Sequence, residues 1–284
     1  MPTTQRPKDL VFTLYGEYLL PREGPTWVGA LIALLQPFGL SEGSVRTVLS
    51  RMARKGWLEA RRVSRHSFYD LTPRGRRLLR EGQARIFHPS WDAPWDERWF
   101  LLAYSIPVDS RHLRDRLRDR LAWLGFGSLG NGLWVSPHEV ESEVLDLAEQ
   151  LGIERHIECF RAVRLGGAPV AEFVNNCWDL EQINRHYREF IDTWSPELAR
   201  CETEIEDGLL AQEECYTLRF ALIHEFRGFP LEDPYLPRAL LPSDWAGDEA
   251  TGVFHHLHDL LVGPADAYVD AVLQGSPDPA PAPV

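Results

Sequence analysis

The chain has 284 residues, of which 44% are hydrophobic, 11% aromatic and 25% charged, and its formal net charge is −12. At this length and composition two or three packed domains are expected, which excludes a disordered chain. No run approaches the roughly 18 apolar residues of a membrane span, and the opening MPTTQRPKDL has no apolar signal core, so a soluble, cytoplasmic protein without a membrane partner is expected.

The charge is unevenly placed. Residues 1–90 hold 15 Lys and Arg against 7 Asp and Glu, a formal +8, whereas residues 91–284 hold 15 against 35, a formal −20. A concentrated positive field on an acidic chain points to a polyanion, and nucleic acid is the first candidate. Cys159, Cys177, Cys201 and Cys215 lie far apart with no CxxC pair, which suits reduced thiols better than a disulfide frame or a zinc site.

Taken in chain order, Asp9 to Leu20 is apolar at helical spacing, and Thr26 is placed to cap a second helix from Trp27 toward Pro37. Ser41 opens a third, in which Val45, Val48, Leu49 and Met52 fall at i, i+3, i+4 and i+7 and make one buried stripe. Gly56 ends it. Two strand-like runs follow, Leu58 to Val63 and Ser67 to Leu71, with a tight turn at Ser64, Arg65 and His66. Thr72-Pro73 is an N-cap followed by proline at the first helical position, starting a basic helix to about Phe87. Helix-turn-helix followed by a hairpin is the order of a winged helix, whose second motif helix enters the DNA major groove. The residues expected to touch DNA are Ser44, Arg46, Thr47, Ser50, Arg51 and Arg54 on that helix, and Arg62, Arg65 and His66 on the wing.

Residues 88–99, HPSWDAPWDERW, read as a linker. WFLLAYSIP, RHLRDRLRDRLAWLG, LWVSP, VESEVLDLAEQLG and IERHIECFRAV then read strand, helix, strand, helix, strand, with a further short strand around Phe126 to Leu129, which is a ferredoxin-like pattern. Leu113, Leu117, Leu121 and Leu124 form the core stripe of the first of these helices, and its Arg and Asp residues read as a solvated face. From Glu172 onward the pattern is helical, interrupted by the proline-dense FPLEDPYLPRALLPSDWAGDEA and closed by a tail, SPDPAPAPV, expected to be disordered. The fold expected is α+β: a winged helix over 1–90, a ferredoxin-like domain over 91–170, a helical domain over 171–275 and a tail over 276–284.

Two motifs suggest other chemistry. Gly125-Phe-Gly-Ser-Leu-Gly130 matches GxGxxG, but the fingerprint needs a strand before and a helix after, and here the order is reversed, so it reads as a turn. His255, His256, His258 and Asp259 have ligand spacing on a helix, yet nothing beside them resembles HExxH, and a partly exposed face is the better reading. No metal or cofactor is expected, and no nucleophile elbow or P-loop gives catalysis support.

The run VRTVLSRMARKGWL, the LTPRGRRLL after the wing, FLLAYSIP, GLWVSP, RFALIHEFRGF and DPYLPRALLPSDWAG together resemble the PaaX family of bacterial repressors over nearly the whole chain. The resemblance implies a central domain similar to that of the Cas2 nucleases, a homodimer on double-stranded operator DNA, repression of phenylacetate catabolism operons, and release by phenylacetyl-CoA. For such an acyl-CoA the acidic part of the chain offers few cations. Arg219 and Arg227 flank His224, and Trp178, Tyr187 and Trp194 are near in sequence, so these six are the effector-site candidates; the same residues also suit a core with charges offsetting carboxylates. The alternative is a metal-dependent nuclease acting through the central Cas2-like domain. Cas2-type nucleases carry an Asp at the end of the first strand, where this chain reads Ala103-Tyr-Ser-Ile-Pro107, and Asp109 comes only after the proline. A third reading is a DNA-organising protein without sequence preference or effector.

Overall fold

A computed structural model describes residues 6–87, 91–92 and 94–277. The chain forms two compact units, one of Met1–Phe87, Ile191–Arg227 and Thr251–Val284, the other of His88–Phe190 and Gly228–Ala250.

The first unit opens with α1 (Pro7–Leu14), which continues as a π-helical turn over Tyr15–Leu19. Strand β1 (Thr26–Trp27) leads into α2 (Val28–Leu35), and a 3-10 turn with left-handed Gly39 (φ 76°) reverses the chain. Thr26 therefore does not cap α2. It pairs with Tyr69, because its backbone completes a three-stranded sheet with β2 (Leu58–Val63) and β3 (His66–Leu71) in the order β1-β3-β2. Helix α3 (Glu42–Arg54) is capped by Ser41, whose side chain accepts from the Ser44 N–H, and it follows the α2 segment across a bend of 118°. Val45, Val48, Leu49 and Met52 are buried as their spacing requires, each such burial being worth about 1.5–3 kcal/mol. The β2–β3 turn is tighter than expected: Val63 pairs with His66, leaving Ser64, at φ 53°, and Arg65 as the tip. Thr72 caps α4 (Pro73–Phe87) through the Gly75 N–H at 3.0 Å, and its own hydroxyl donates to the Gly56 carbonyl at 2.7 Å. Position 75 must be glycine, since a Cβ there would lie 2.2 Å from the Trp57 carbonyl oxygen.

Helices of the C-terminal third complete this unit. Tyr216 donates to the Leu34 carbonyl at 2.6 Å, and Phe220 stacks on Phe38 with centroids 3.9 Å apart. The side chain of Glu17, 7% exposed, is bound by Arg219 and lies 3.0 Å from His258 Nε2, while Arg219 also reaches Asp266 at 3.3 Å. Burial pushes the Glu17 carboxyl up, but the His258 hydrogen bond and the Arg219 charge outweigh it and leave it below its ordinary 4.5. Nearby, Arg227 donates to the Asp9 carbonyl at 2.8 Å and to Thr13 Oγ1 at 3.2 Å, and His224 Nδ1 lies 2.9 Å from Thr13 Oγ1. His258 is thus buried with a carboxylate rather than on a partly exposed face. His256 does reach the surface, where it meets Glu202 at 3.2 Å.

The second unit contains β4 (Arg98–Tyr104), α5 (Arg111–Trp123), β5 (Gly127–Gly130), β6 (Leu133–Ser136), α6 (Glu141–Leu151) and β7 (Ile157–Val163). The antiparallel order β5-β6-β4-β7 is that of a ferredoxin-like sheet. Phe100, Leu102, Leu117, Leu121, Val144 and Leu147 form its core, with Leu113 and Leu124 packed at the margin. The GxGxxG glycines lie between α5 and β6, with no helix after them. Helix α7 (Val170–Cys177) follows the sheet, and α8 (Leu180–Glu206) begins in this unit. Trp91 corrects the linker reading: it is 5% exposed and its indole N–H donates to Asp233 at 3.1 Å, an acceptor it shares with the Tyr187 hydroxyl.

The helical pattern expected from Glu172 onward is broken before the proline-dense stretch as well. Gly208, at φ 67°, separates α8 from α9 (Gln212–Phe226). In the proline-dense stretch a single short helix, α10 (Phe229–Glu232), and a 3-10 turn precede α11 (Gly247–Gln274). Of the expected tail, residues 278–284 lie outside the described residues. No single helix among the described residues is long and apolar enough to cross a membrane.

Burial pushes the His224 imidazole down to about 4, the Arg227 charge acting in the same direction and Asp9 against it. A histidine held neutral in the fold contributes stability that is complete above its ordinary 6.5 and is lost as the pH falls from 6.5 toward 4, by about 3 kcal/mol at most. Glu17 adds its own loss only below 4.5. Urea unfolding of the whole chain is therefore expected to weaken between pH 6.5 and 4.5, and His224→Gln to flatten that interval; an unchanged pH slope in the variant would assign the loss to other groups.

Candidate nucleic-acid interface

Helix α3 turns one face inward and leaves the rest to solvent. At about 100° per residue, Arg46, Ser50 and Arg54 lie on the side opposite the buried stripe, and Ser44, Thr47 and Arg51 form a second row beside them. Arg46, Thr47, Ser50, Arg51 and Arg54 are exposed and Ser44 is half-buried. Arg51 and Arg54 carry no ion pair among the described residues, so their guanidiniums are available to an anionic partner. Arg46 differs: Glu42, one turn earlier, accepts from its Nε at 2.9 Å. The sequence reading missed this tie, although the i, i+4 spacing of Glu42 and Arg46 was the signal for it. Thr47 directs its hydroxyl to the Gly43 carbonyl at 2.8 Å, leaving the oxygen free to accept.

On the wing, Arg65 stands at the exposed tip with its Nε 3.4 Å from His66 Nε2, and Arg62 Nε donates to the Ser64 carbonyl at 3.3 Å. The His66 ring meets the Trp27 ring edge-on at 5.8 Å, so β1 buttresses the wing from below. All nine residues expected at DNA belong to one unit and to two adjoining elements, α3 and the β2–β3 hairpin.

The six effector-site candidates are not brought together in one unit. Arg219, His224, Arg227 and Trp194 belong to the first and Trp178 and Tyr187 to the second. Arg219 is 3% exposed and engaged with Glu17, Asp266 and His258, and Arg227 and His224 are engaged with α1. Trp194 donates to Glu225 at 3.1 Å, Trp178 to the Gly125 carbonyl at 3.3 Å, and Tyr187 to Asp233 at 2.8 Å. Asp109 stands exposed on a 3-10 turn, Val108–Ser110. Among the described residues no group of three or more His, Cys, Asp or Glu could hold a metal ion. The geometry gives the nuclease alternative no support.

The chain matches three family models: PaaX-like protein over residues 6–75, the PaaX protein central Cas2-like domain over 92–174, and the PaaX-like protein C-terminal domain over 178–271. It is also 34% identical over 278 residues to the transcriptional repressor PaaX of Escherichia coli K12, covering 97% of this chain and 86% of that one. The chain belongs to the PaaX family. A solved structure of an uncharacterized protein from Mycobacterium tuberculosis shares the fold, with a TM-score of 0.57 at 21% identity over 95% of this chain and 99% of that one. The chain is thus a PaaX-family transcription regulator, and the mixed fold with a Cas2-like centre stands as expected from sequence.

Replacing Arg54 by Ala is expected to cost about 1–3 kcal/mol of operator affinity and to relax base preference at one position per half-site. Arg65→Ala on the wing is expected to weaken binding to all duplexes alike. Glu42→Ala, which frees Arg46 and removes a carboxylate from the face, is expected to tighten DNA binding. Titrations of labelled duplexes at fixed salt measure all three, and an Arg54→Ala variant with wild-type affinity and selectivity would exclude this face of α3 from base reading.

Proposed function

We propose that the chain is a repressor that binds a palindromic operator as a homodimer, with α3 of each copy in a major groove, and leaves it when an aryl-CoA thioester such as phenylacetyl-CoA binds. The observation that carries the reading is the segregation of charge on the fold: the exposed arginines of α3 and the wing make a cationic surface on a chain whose remainder is strongly acidic. Phosphates and base edges accept from such a surface, and paired winged helices match the two-fold symmetry of an operator. The PaaX repressor, alike over nearly the whole chain, supports the repressing sense of the regulation.

For release, the ligand must bind a state of the protein that fits the operator less well, since only differential affinity shifts an equilibrium. Arg219 and Arg227 suit this role because each joins the elements below the winged helix to α9. An acyl-CoA phosphate that drew either guanidinium away would leave Glu17 or the α1 carbonyl without its partner and loosen the support of α3. His224 and Trp194, which belong to the same unit as the two arginines, remain the candidates for the apolar part of the ligand. Calorimetric titration of phenylacetyl-CoA, free coenzyme A and phenylacetate, with operator release followed in parallel, tests the reading. Release by the thioester alone, lost in Arg227→Ala, is the expected result. No response to any acyl-CoA would remove this effector class, and full response in both Arg219→Ala and Arg227→Ala would move the site elsewhere.

A further inference from the structure

An open groove of about 500 Å³ lies between the first residues of α1 and the side of α3. It is lined by Arg6 and Lys8 from the N-terminal segment, Thr47, Arg51 and Lys55 from α3 and the residue after it, and Trp57. Among the described residues no carboxylate lines it; Asp9, 3.6 Å from Lys8, stands at its edge. The indole gathers both lysines, the ammonium of Lys55 lying 5.2 Å from the Trp57 ring centre and that of Lys8 6.0 Å, and Lys8 also pairs with Asp9. A cation held over an aromatic face keeps its charge available to an incoming anion, and the Lys8–Asp9 pair, at 3.6 Å and partly solvent-exposed, is weak enough to yield to a phosphate.

We propose that this groove holds the sugar-phosphate backbone that flanks the major groove read by α3, with Lys8 and Lys55 as its phosphate contacts. The inference rests on the reading of α3 as the DNA-reading helix. A helix about 10–12 Å across fills a major groove about 12 Å wide, so the flanks of the helix meet the backbone walls. Thr47, Arg51 and Lys55 make one such flank, turned about 100° from the row of Arg46, Ser50 and Arg54. The chemistry of the lining fits this occupant: cations and a hydroxyl for phosphate oxygens, and the indole with the apolar side chains of Val48 and Met52 for the apolar face of deoxyribose. The positive surface of the N-terminal segment thus has two tasks, base reading along one row of α3 and backbone clamping along the other.

The two tasks separate in salt dependence. Each phosphate contact contributes about 0.9 to the slope of log affinity against log salt. In the full-length protein, Lys8→Ala/Lys55→Ala is expected to lower that slope by about 1.8, so that between 50 and 200 mM salt the wild type loses roughly 10-fold more affinity than the variant. The preference for operator over a scrambled duplex is expected to stay as in wild type, because no base contact is removed. Lys8→Arg/Lys55→Arg should keep the wild-type slope, and Arg111→Ala/Arg116→Ala, which removes two exposed charges from α5, should leave it unchanged. Both lysines are exposed, so thermal melting of the variants should match wild type. A slope in the alanine variant within 0.5 of wild type would overturn the groove while leaving α3 in place. A changed operator preference would turn the lysines into base readers and also overturn it. If the wild type itself prefers no duplex sequence, the repressor reading falls and the groove with it.

Discussion

A carboxylate buried in the first twenty residues depends on cations supplied some two hundred residues later. Glu17 sits at the π-helical turn after α1, and Arg219 and His258 from α9 and α11 are what make its burial tolerable. A charge removed from water costs several kcal/mol unless it is paired and hydrogen-bonded, so the turn can take this form only with the C-terminal helices in place. The same helices supply Tyr216 to Leu34 and Phe220 to Phe38, closing the far side of the helix-turn-helix. The winged helix is therefore part of a unit assembled from both ends of the chain, not a module on a tether. Whatever displaces α9 or α11 is felt by α1 and α2 through groups that cannot be left unpaired.

On that support, α3 sorts its residues by face. Four apolar side chains fix the helix to α1 and α2, and the remaining surface is free to carry charge without loss of stability. The arrangement concentrates positive charge on the N-terminal 90 residues while the acidic surplus of the rest of the chain discourages polyanions from binding elsewhere. Arg46, tied to Glu42, is the exception within the set. In the proposed complex it exchanges one carboxylate for another acceptor, whereas Arg51 and Arg54 exchange only water, so the two kinds of arginine should differ in their net contribution to affinity.

Local patterns made much of this legible in the sequence. The α3 stripe, the Ser41 cap, the run Leu58–Val63 and the alternation of strands and helices from Trp99 to Val163 all express short-range periodicity, and they recur in the structure. What the sequence hid was long-range. Thr26 and Trp27 form a strand of two residues, too short to carry a pattern, and only pairing with Tyr69 and Phe68 makes it one. Trp91 looked like linker because its partners, Asp233, Tyr187 and Tyr235, come about a hundred residues later or more. Arg219, Arg227 and His258 are polar residues whose burial depends on acceptors in α1 and its π-helical turn, and no window around them contains those acceptors. The exposed row of α3 was readable because a surface row needs no distant partner.

Hydroxyl-radical footprinting of the full-length protein on the DNA upstream of its own coding sequence, with chelator present, tests the central claim most directly. The result expected is protection of two half-sites related by a dyad and spaced by about one helical turn, 10–10.5 base pairs, or a multiple of it, on DNA that stays intact. Uniform protection without preferred sites, or protection that survives unchanged when the exposed α3 residues Arg46, Ser50 and Arg54 are replaced together by alanine, would contradict it.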